Sequence, residues 1–229
     1  MQIFLLLFIV TFGLTMWARG KYRKAYDAEL KNVSPSGQTG AELARRILQA
    51  RGIEVVEVVC GHGLFGDFYD PAKKRLSLAP QHYSGSTFAA LGVAAHEAGH
   101  VLQHREGHVP LHWRVSAVRA TMFLSLPLVA LGAFMLIIPG FGRSGLLMIL
   151  GGWSLVAACN LITLPVELDA SERARQVLDH MKPKPFANLD ERLGVEKVMR
   201  AASAAYVDGV FVVISWLGSW ISPHLGSKD

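Results

Sequence analysis

Charged residues are scarce in this sequence. They make up 18% of its 229 residues, whereas hydrophobic residues make up 51%. About a quarter of a typical soluble domain is charged, so this balance indicates long buried or lipid-facing segments. The net charge of +5 does not indicate nucleic-acid binding, because no motif for it is present and the basic residues lie beside apolar runs. We therefore expect no nucleic-acid partner.

Cysteine is also scarce, since Cys60 and Cys159 are the only two. One lies in a polar region and the other inside an apolar run, which argues against a disulfide framework. The chain has no Cys-x-x-Cys pair, so neither a thiolate zinc site nor a dithiol redox pair is expected.

Long hydrophobic runs are abundant. Residues 3–18, 120–138 and 145–165 contain no charged side chain, and a fourth run at 204–221 contains one aspartate. About 20 apolar residues are needed for a helix to cross a bilayer. The first run lacks a convincing cleavage site and indicates an anchor, with a signal peptide as the alternative. The last run either spans the membrane or lies in its interface.

We therefore predict a mainly α membrane protein with a small α+β domain and three to four transmembrane helices. The predicted parts are an N-terminal anchor, a mixed domain, a transmembrane hairpin, a cytoplasmic helical segment, and a C-terminal transmembrane or interfacial helix with its tail. They cover residues 1–18, 19–117, 118–166, 167–203 and 204–229. Basic residues directly after the anchor place the mixed domain in the cytoplasm by the positive-inside rule.

The mixed domain shows helix and strand signals. A helix is predicted from Thr39 or Gly40 to Gly52, and strands are predicted at 53–59 and 75–79. The stretch "DFYDPAKK" between the strands has the residues of a turn. Ser86 or Thr87 is expected to cap the helix that follows.

That helix contains the stretch "LGVAAHEAGHVLQH", residues 91–104. His96 and His100 lie one turn apart on one face, where two imidazoles can bind one zinc ion. Glu97 is rotated from them, so it can take a proton from a water molecule that zinc activates. The alternative is a chance match on a buried helix. The small, apolar neighbours disfavour it, because an unpaired polar seam in such a helix is costly.

A catalytic zinc normally has three protein ligands, and the third must come from elsewhere. A metzincin would have histidine where this chain has Glu106, so that class is excluded. His104 continues the helical row, but a straight helix cannot bring it back to the same ion. Glu167 in "LPVELDAS" is the better candidate, because two predicted crossings place it on the same membrane side as His100. The alternative for Glu167 is a solvated carboxylate at a helix end.

The segments "DFYDP", "LSL", "VAAHEAGHVLQH" and "LPVELDAS" occur in an order that resembles the YugP-type neutral zinc metallopeptidases of bacterial membranes. These are gluzincin-like proteins, more distantly similar to the HtpX and CAAX-prenyl proteases. The resemblance covers most of the chain. It implies a zincin-like, minimal gluzincin domain that holds one Zn²⁺ per chain through His96, His100 and Glu167, with Glu97 as general base.

The chain departs from this family at two positions. Phe68 stands where members often have histidine, and Ser171 stands where a related Glu-x-x-x-Asp pattern ends in aspartate. Ser171 is still a candidate to orient a ligand, because it lies one turn after Glu167. His180 and Tyr206 lie where gluzincins often carry an oxyanion donor, although each is also typical of a surface residue.

The sequence thus predicts a membrane-bound zinc metalloendopeptidase of the bacterial inner membrane, multi-pass, with its active site on the cytoplasmic side. The implied partners are a peptide or protein substrate, including membrane proteins, the lipid bilayer, and a partner protein or second copy. "RLSL" at residues 75–78 is either an edge strand that binds an extended peptide or an ordinary structural strand. The rival function is a non-catalytic zinc-containing scaffold. An intramembrane protease is disfavoured, because "REGHVPLHWR" separates the motif from the next apolar run.

Overall fold

The computed structural model describes residues 2–61, 66–108, 116–117 and 121–205. The chain divides into two compact units. In the first unit the described residues are 2–19, 116–117 and 121–163, and in the second they are 20–61, 66–108 and 164–205. The predicted domain limits stay a prediction.

The described residues form mainly helices with one small sheet, which confirms that part of the predicted fold class. In chain order the elements are α1 (Gln2–Leu30), α2 (Gly40–Gln49), β1 (Glu57–Cys60), β2 (Phe68–Asp70), β3 (Arg75–Leu78), α3 (Pro80–Tyr83), α4 (Phe88–Arg105), a π-helical turn (Thr121–Ser125), α5 (Leu126–Leu136), α6 (Gly142–His180) and α7 (Leu189–Ala205).

Helix α2 begins where its sequence predicts. The Thr39 hydroxyl accepts the Glu42 N–H at 3.3 Å, and the Glu42 carboxylate accepts the Thr39 N–H at 2.7 Å, which is a capping box. Leu43, Ile47 and Leu48 lie on one face and are buried.

The sheet has the order β1-β3-β2. Strand β3 pairs in parallel with β1 and antiparallel with β2. The "RLSL" strand is therefore central, and the interpretation of it as a substrate-binding edge is wrong, because neighbours occupy both of its edges. The expected "DFYDPAKK" turn is shorter than predicted, since Phe68–Asp70 is itself a strand. The turn proper begins at Asp70, whose carboxylate accepts the N–H groups of Ala72 and Lys73.

Helix α4 is the centre of the second unit. The Thr87 hydroxyl caps it by accepting the Ala90 N–H at 3.2 Å, and the residues from Phe88 to Gln103 are all buried. Helix α7 packs closely against it, since a Cβ on Gly92 would lie 2.6 Å from the Cβ of Val198. Burying an apolar side chain fully contributes about 2 kcal/mol to the free energy of unfolding, so the buried residues of α4 and their packing against α7 hold the motif helix in place.

In the first unit, α5 and the start of α6 pack backbone to backbone. A Cβ on Gly132 would lie 2.7 Å from the carbonyl oxygen of Gly145, so only glycine permits this approach. Several large apolar side chains of the unit remain exposed, among them Phe123 and Ile137 at 74% and 76% exposure.

The predicted three to four transmembrane helices are wrong for the residues described. None of their helices combines the length and the apolar content that crossing a bilayer requires. In the run at 120–138 the π-helical turn of 5 residues leads directly into α5 with 11 residues, and together they span at most about 24 Å against the roughly 30 Å of a hydrocarbon core. Most of the run at 204–221 lies outside the described residues.

Candidate metal centre

Helix α4 presents three buried ionisable side chains within one turn and a half. His96, Glu97 and His100 are 4%, 7% and 0% exposed. The two imidazole rings have centroids 5.0 Å apart and planes 77° apart. A carboxylate oxygen of Glu97 lies within 4.8 Å of a ring nitrogen of each histidine. The helical spacing thus brings the three together as predicted.

Helix α6 approaches α4 closely at Gly99, between the two histidines. A Cβ at this position would lie 2.1 Å from the carbonyl oxygen of Ala170, far closer than van der Waals contact. Only glycine permits such an approach without a shift. Because Ala170 lies between Glu167 and Ser171 in sequence, the contact brings the turn that carries both against the histidines.

Glu167 is fully buried and faces both imidazoles. Its Oε2 lies 3.1 Å from Nε2 of His96 and 3.3 Å from Nε2 of His100. The three residues that the sequence proposes as ligands therefore meet at one point. Their role as ligands stays a prediction.

Ser171 fixes the orientation of His96. Its hydroxyl lies 2.8 Å from Nδ1 of His96 and donates its single proton to the carbonyl oxygen of Met199 at 2.9 Å. The hydroxyl can therefore only accept from His96. In its neutral form His96 carries its proton on Nδ1 and directs the lone pair of Nε2 towards Glu167.

Gln103 fixes the orientation of His100 in a similar way. Its amide nitrogen lies 2.7 Å from the carbonyl oxygen of Val166 and 2.7 Å from a carboxylate oxygen of Asp169. Both are acceptors, so the amide oxygen must be the atom that faces Nδ1 of His100 at 2.9 Å. Neutral His100 is therefore also protonated on Nδ1.

These bonds direct the Nε2 lone pairs of the two neutral histidines towards Oε2 of Glu167, which lies within hydrogen-bond distance of His96. Nε2 of His100 has no hydrogen-bond partner among the described residues, although Glu167 is near. Such a buried cluster is unfavourable unless a cation binds to it. Ligand atoms around a tetrahedral zinc are about 3.3–3.6 Å apart, given Zn–N and Zn–O bonds of about 2.0–2.2 Å. The observed separations of 3.1 and 3.3 Å lie just below and at the lower end of this range, and the two imidazoles and one carboxylate are ligand types that zinc takes.

Glu97 is placed differently from Glu167. Its Oε2 is buried and lacks a hydrogen-bond partner within the described part of the chain. A carboxylate oxygen beside the histidines with no proton donor on it is able to accept a proton from a nearby molecule.

His104 is held by a strand instead. Its Nδ1 lies 2.7 Å from the hydroxyl of Tyr69 in β2, so this contact orients it away from a ligand role. Burial raises the pKa of Tyr69 to about 12, and the charge of Asp70 adds to the effect.

His180 is not brought to the site. It is exposed, it bonds the Gln176 carbonyl through Nδ1, and it lies 13 residues after Glu167 on the same helix, which is about 20 Å of rise. Tyr206 lies outside the described residues.

Sequence reasoning missed Gln103 and Asp169. The signal for Gln103 was an amide directly after the apolar Val101 and Leu102, three positions after His100. Asp169 gave no comparable signal, because its partner belongs to a helix that is distant in sequence.

Comparisons with known proteins agree with this geometry. A family model described as "Putative neutral zinc metallopeptidase" matches residues 4–224. The chain is 36% identical over 230 residues to a Bacillus subtilis (strain 168) protein named "Putative membrane protease YugP", covering 100% of this chain and 99% of that protein. No solved structure matches. The chain therefore belongs to the neutral zinc metallopeptidase family that its sequence motifs resemble.

Proposed function

We propose that this protein is a zinc-dependent endopeptidase in which His96, His100 and Glu167 bind one zinc ion and Glu97 is the general base. The observation that carries the proposal is the convergence of two Nε2 lone pairs and one carboxylate oxygen in a buried site, at 3.1 and 3.3 Å. Family membership supports zinc and peptidase activity in general.

When bound, zinc would lower the pKa of a water molecule and polarise a peptide carbonyl. The Glu97 carboxylate accepts the proton of the attacking water and later passes it to the leaving amine nitrogen. The Nδ1 bonds of His96 and His100 hold both rings rigid, so neither loses its orientation as the charge in the site changes.

The rival proposal is a non-catalytic zinc protein that acts as a scaffold. Structural zinc sites usually have four protein ligands and need no base. The described site has three converging ligand atoms, and a fourth ionisable group, Glu97, stands beside them without a hydrogen bond on its Oε2. This arrangement favours catalysis.

The decisive experiment compares four full-length proteins, namely the wild type, Glu97→Gln, Glu167→Ala and the control Glu172→Ala. Glu172 is an exposed glutamate on the same helix as Glu167. Metal analysis should find one zinc per chain in the wild type, Glu97→Gln and the control, and none in Glu167→Ala. Full zinc occupancy in Glu167→Ala would remove it from the ligand set.

Activity is measured on fluorogenic peptides blocked at both termini, which an endopeptidase cleaves and an exopeptidase does not. The wild type and the Glu172→Ala control should cleave them, and Glu97→Gln should not. Retained cleavage in Glu97→Gln would refute the role of base. Zinc-loaded wild type that cleaves no blocked or unblocked peptide would favour the scaffold.

We also infer that the protein works at a bacterial membrane surface. The Bacillus relative is named a membrane protease, and exposed Phe123, Phe134, Ile137 and Phe141 give the first unit an apolar surface. Arg143 beside them is exposed and suits anionic lipid. Flotation with phosphatidylglycerol vesicles tests this, and unchanged flotation of a Phe123→Ser, Ile137→Ser double variant would contradict it. The predicted cytoplasmic orientation rests on the basic residues that follow the first apolar run, and it stays a prediction.

A further inference from the structure

A chain of polar contacts runs from His100 away from the site to the surface. His100 donates to Gln103 at 2.9 Å, Gln103 donates to Asp169 at 2.7 Å, and Asp169 accepts from Arg173 at 2.6 Å. Arg173 also bonds Glu106. These hydrogen bonds cross between α4 and α6, so they link the helix that carries two ligand candidates to the helix that carries the third.

The side-chain amide of Gln103 can take only one orientation within this series of hydrogen bonds. It is completely buried, and both hydrogens of its amide nitrogen are used, one on the carbonyl oxygen of Val166 and one on Asp169. Turning the amide over would place its oxygen against these two acceptors and its hydrogens against Nδ1 of His100. Three favourable contacts would become unfavourable in a buried place, where an unpaired polar group is costly.

The same amide also holds the second helix. Val166 directly precedes Glu167 in sequence, so the bond to its carbonyl fixes the backbone from which the Glu167 carboxylate projects. Arg173 holds Asp169 from one turn further along α6. One side chain thus determines both the proton position on His100 and the place of the facing helix.

We propose that Gln103, braced by Asp169, is a positioning residue that locks His100 as the Nδ1–H tautomer and clamps α4 to α6. The consequence for zinc affinity rests on the function proposed above, but the tautomer and the clamp do not require a metal. Loss of an outer contact of a ligating histidine typically weakens metal binding about 10–100-fold.

His96 provides an internal control for this proposal. Its Nδ1 bonds Ser171, which in turn bonds Met199 on α7, and Gln103 takes no part in that contact. A substitution of Gln103 should therefore change the proton position on His100 and leave that on His96 as it is. A general loosening of the structure would affect both histidines.

The first experiment is done on metal-free full-length protein at pH 8, above the ordinary pKa of imidazole. Long-range ¹H–¹⁵N spectra of the imidazoles distinguish the two tautomers. In the wild type both histidines should be protonated on Nδ1. In Gln103→Met, His100 should become a mixture of tautomers while His96 stays fixed. A His100 that keeps its Nδ1 proton in Gln103→Met overturns the proposal.

The second experiment measures zinc affinity by competition with a chromogenic chelator. Gln103→Met should bind zinc about 10–100-fold more weakly, whereas Gln176→Met, which replaces an exposed glutamine of α6, should match the wild type. Equal affinities of Gln103→Met and the wild type would overturn the proposal. If the wild type itself binds no zinc, the proposed function fails, and the tautomer spectra still decide this inference.

If Gln103→Met does not fold, zinc affinity is measured instead in variants that exchange the amide of Gln103 and the carboxylate of Asp169. Gln103→Glu keeps an acceptor for Nδ1 of His100 but sets a carboxylate oxygen against Asp169 and the Val166 carbonyl, so it should release the clamp between α4 and α6 and weaken zinc binding. Adding Asp169→Asn supplies an amide donor to the new carboxylate, so the double variant should recover at least tenfold of the loss. Losses that simply add in the double variant would show that the two side chains do not act as a pair, and would overturn the proposal.

Discussion

The hydroxyl of Ser171 accepts the Nδ1 proton of His96 and donates its own proton to the carbonyl oxygen of Met199, at 2.8 and 2.9 Å. A hydroxyl that has already donated its proton cannot donate it again. The position of one serine therefore decides which nitrogen of His96 faces Glu167. A carboxylate is the more familiar partner of a ligating histidine, and here the hydroxyl of Ser171 takes that position.

Replacing this serine should impair both the site and the fold. Ser171→Ala leaves Nδ1 of His96 without a hydrogen-bond partner, which should lower the free energy of unfolding by about 1–3 kcal/mol. Zinc affinity should fall about 10–100-fold. Chelator competition and thermal unfolding measure the two effects. Ser154→Ala is the control, because the Ser154 hydroxyl donates to the Leu150 carbonyl of its own helix. An unchanged zinc affinity in Ser171→Ala would contradict the role.

Glu167→Gln should change zinc binding and metal-free stability in opposite directions. Without metal, the wild-type carboxylate faces two nitrogens that lack protons, whereas an amide can donate to one or both. Each new bond is worth about 1 kcal/mol, so metal-free Glu167→Gln should be at least as stable as the metal-free wild type at pH 8.

The measurement is thermal unfolding with a chelator and with zinc. Zinc at about 100 times its Kd should stabilise the wild type by about 2.7 kcal/mol and leave Glu167→Gln unchanged. A variant that is both less stable without metal and still stabilised by zinc would contradict the idea that three electron-pair donors meet here.

The sequence predicted the site better than its surroundings. His96 and His100 are neighbours because helical spacing is a local property, and Thr87 caps their helix as expected. Glu167 was correctly expected near them, although the reason given was the number of membrane crossings. In the structure the close contact of Gly99 with Ala170 brings it there.

The failures have a common physical cause. Gln103 bonds a carbonyl 63 residues away, and no spacing rule reports a contact between distant helices. Apolar composition counts residues in a row, but it does not show where a helix changes its winding, as at Thr121–Ser125, or where it ends, as at Leu136. The strand at Phe68–Asp70 has three residues, too few for an alternating pattern to be visible.

Gly99→Ala tests the close approach of α4 and α6. Alanine normally stabilises a helix by up to about 1 kcal/mol relative to glycine. Here its Cβ would lie 2.1 Å from the carbonyl oxygen of Ala170, so α6 must move. We expect a net loss of about 1–3 kcal/mol together with weaker zinc binding. The control is Gly151→Ala in α6, where a Cβ meets nothing within 4 Å and the ordinary gain should appear. A stabilised Gly99→Ala with normal zinc affinity would show that the helices tolerate separation.

The pKa of Tyr69 predicts how stability changes in alkaline solution. Burial, followed by the charge of Asp70, raises this pKa to about 12 in the folded protein, whereas an unfolded tyrosine titrates near 10. Between these values the unfolded chain has lost the proton that the folded protein keeps. The protonated Tyr69 therefore makes its full contribution to the free energy of unfolding below about pH 10, and this contribution is lost as the pH rises towards 12. Tyr69→Phe removes this titration and also the bond to His104, which should cost about 1 kcal/mol at pH 8. Urea unfolding of both proteins between pH 8 and 11 should show the wild type losing its advantage as the pH rises, and a constant difference over that range would contradict the raised pKa.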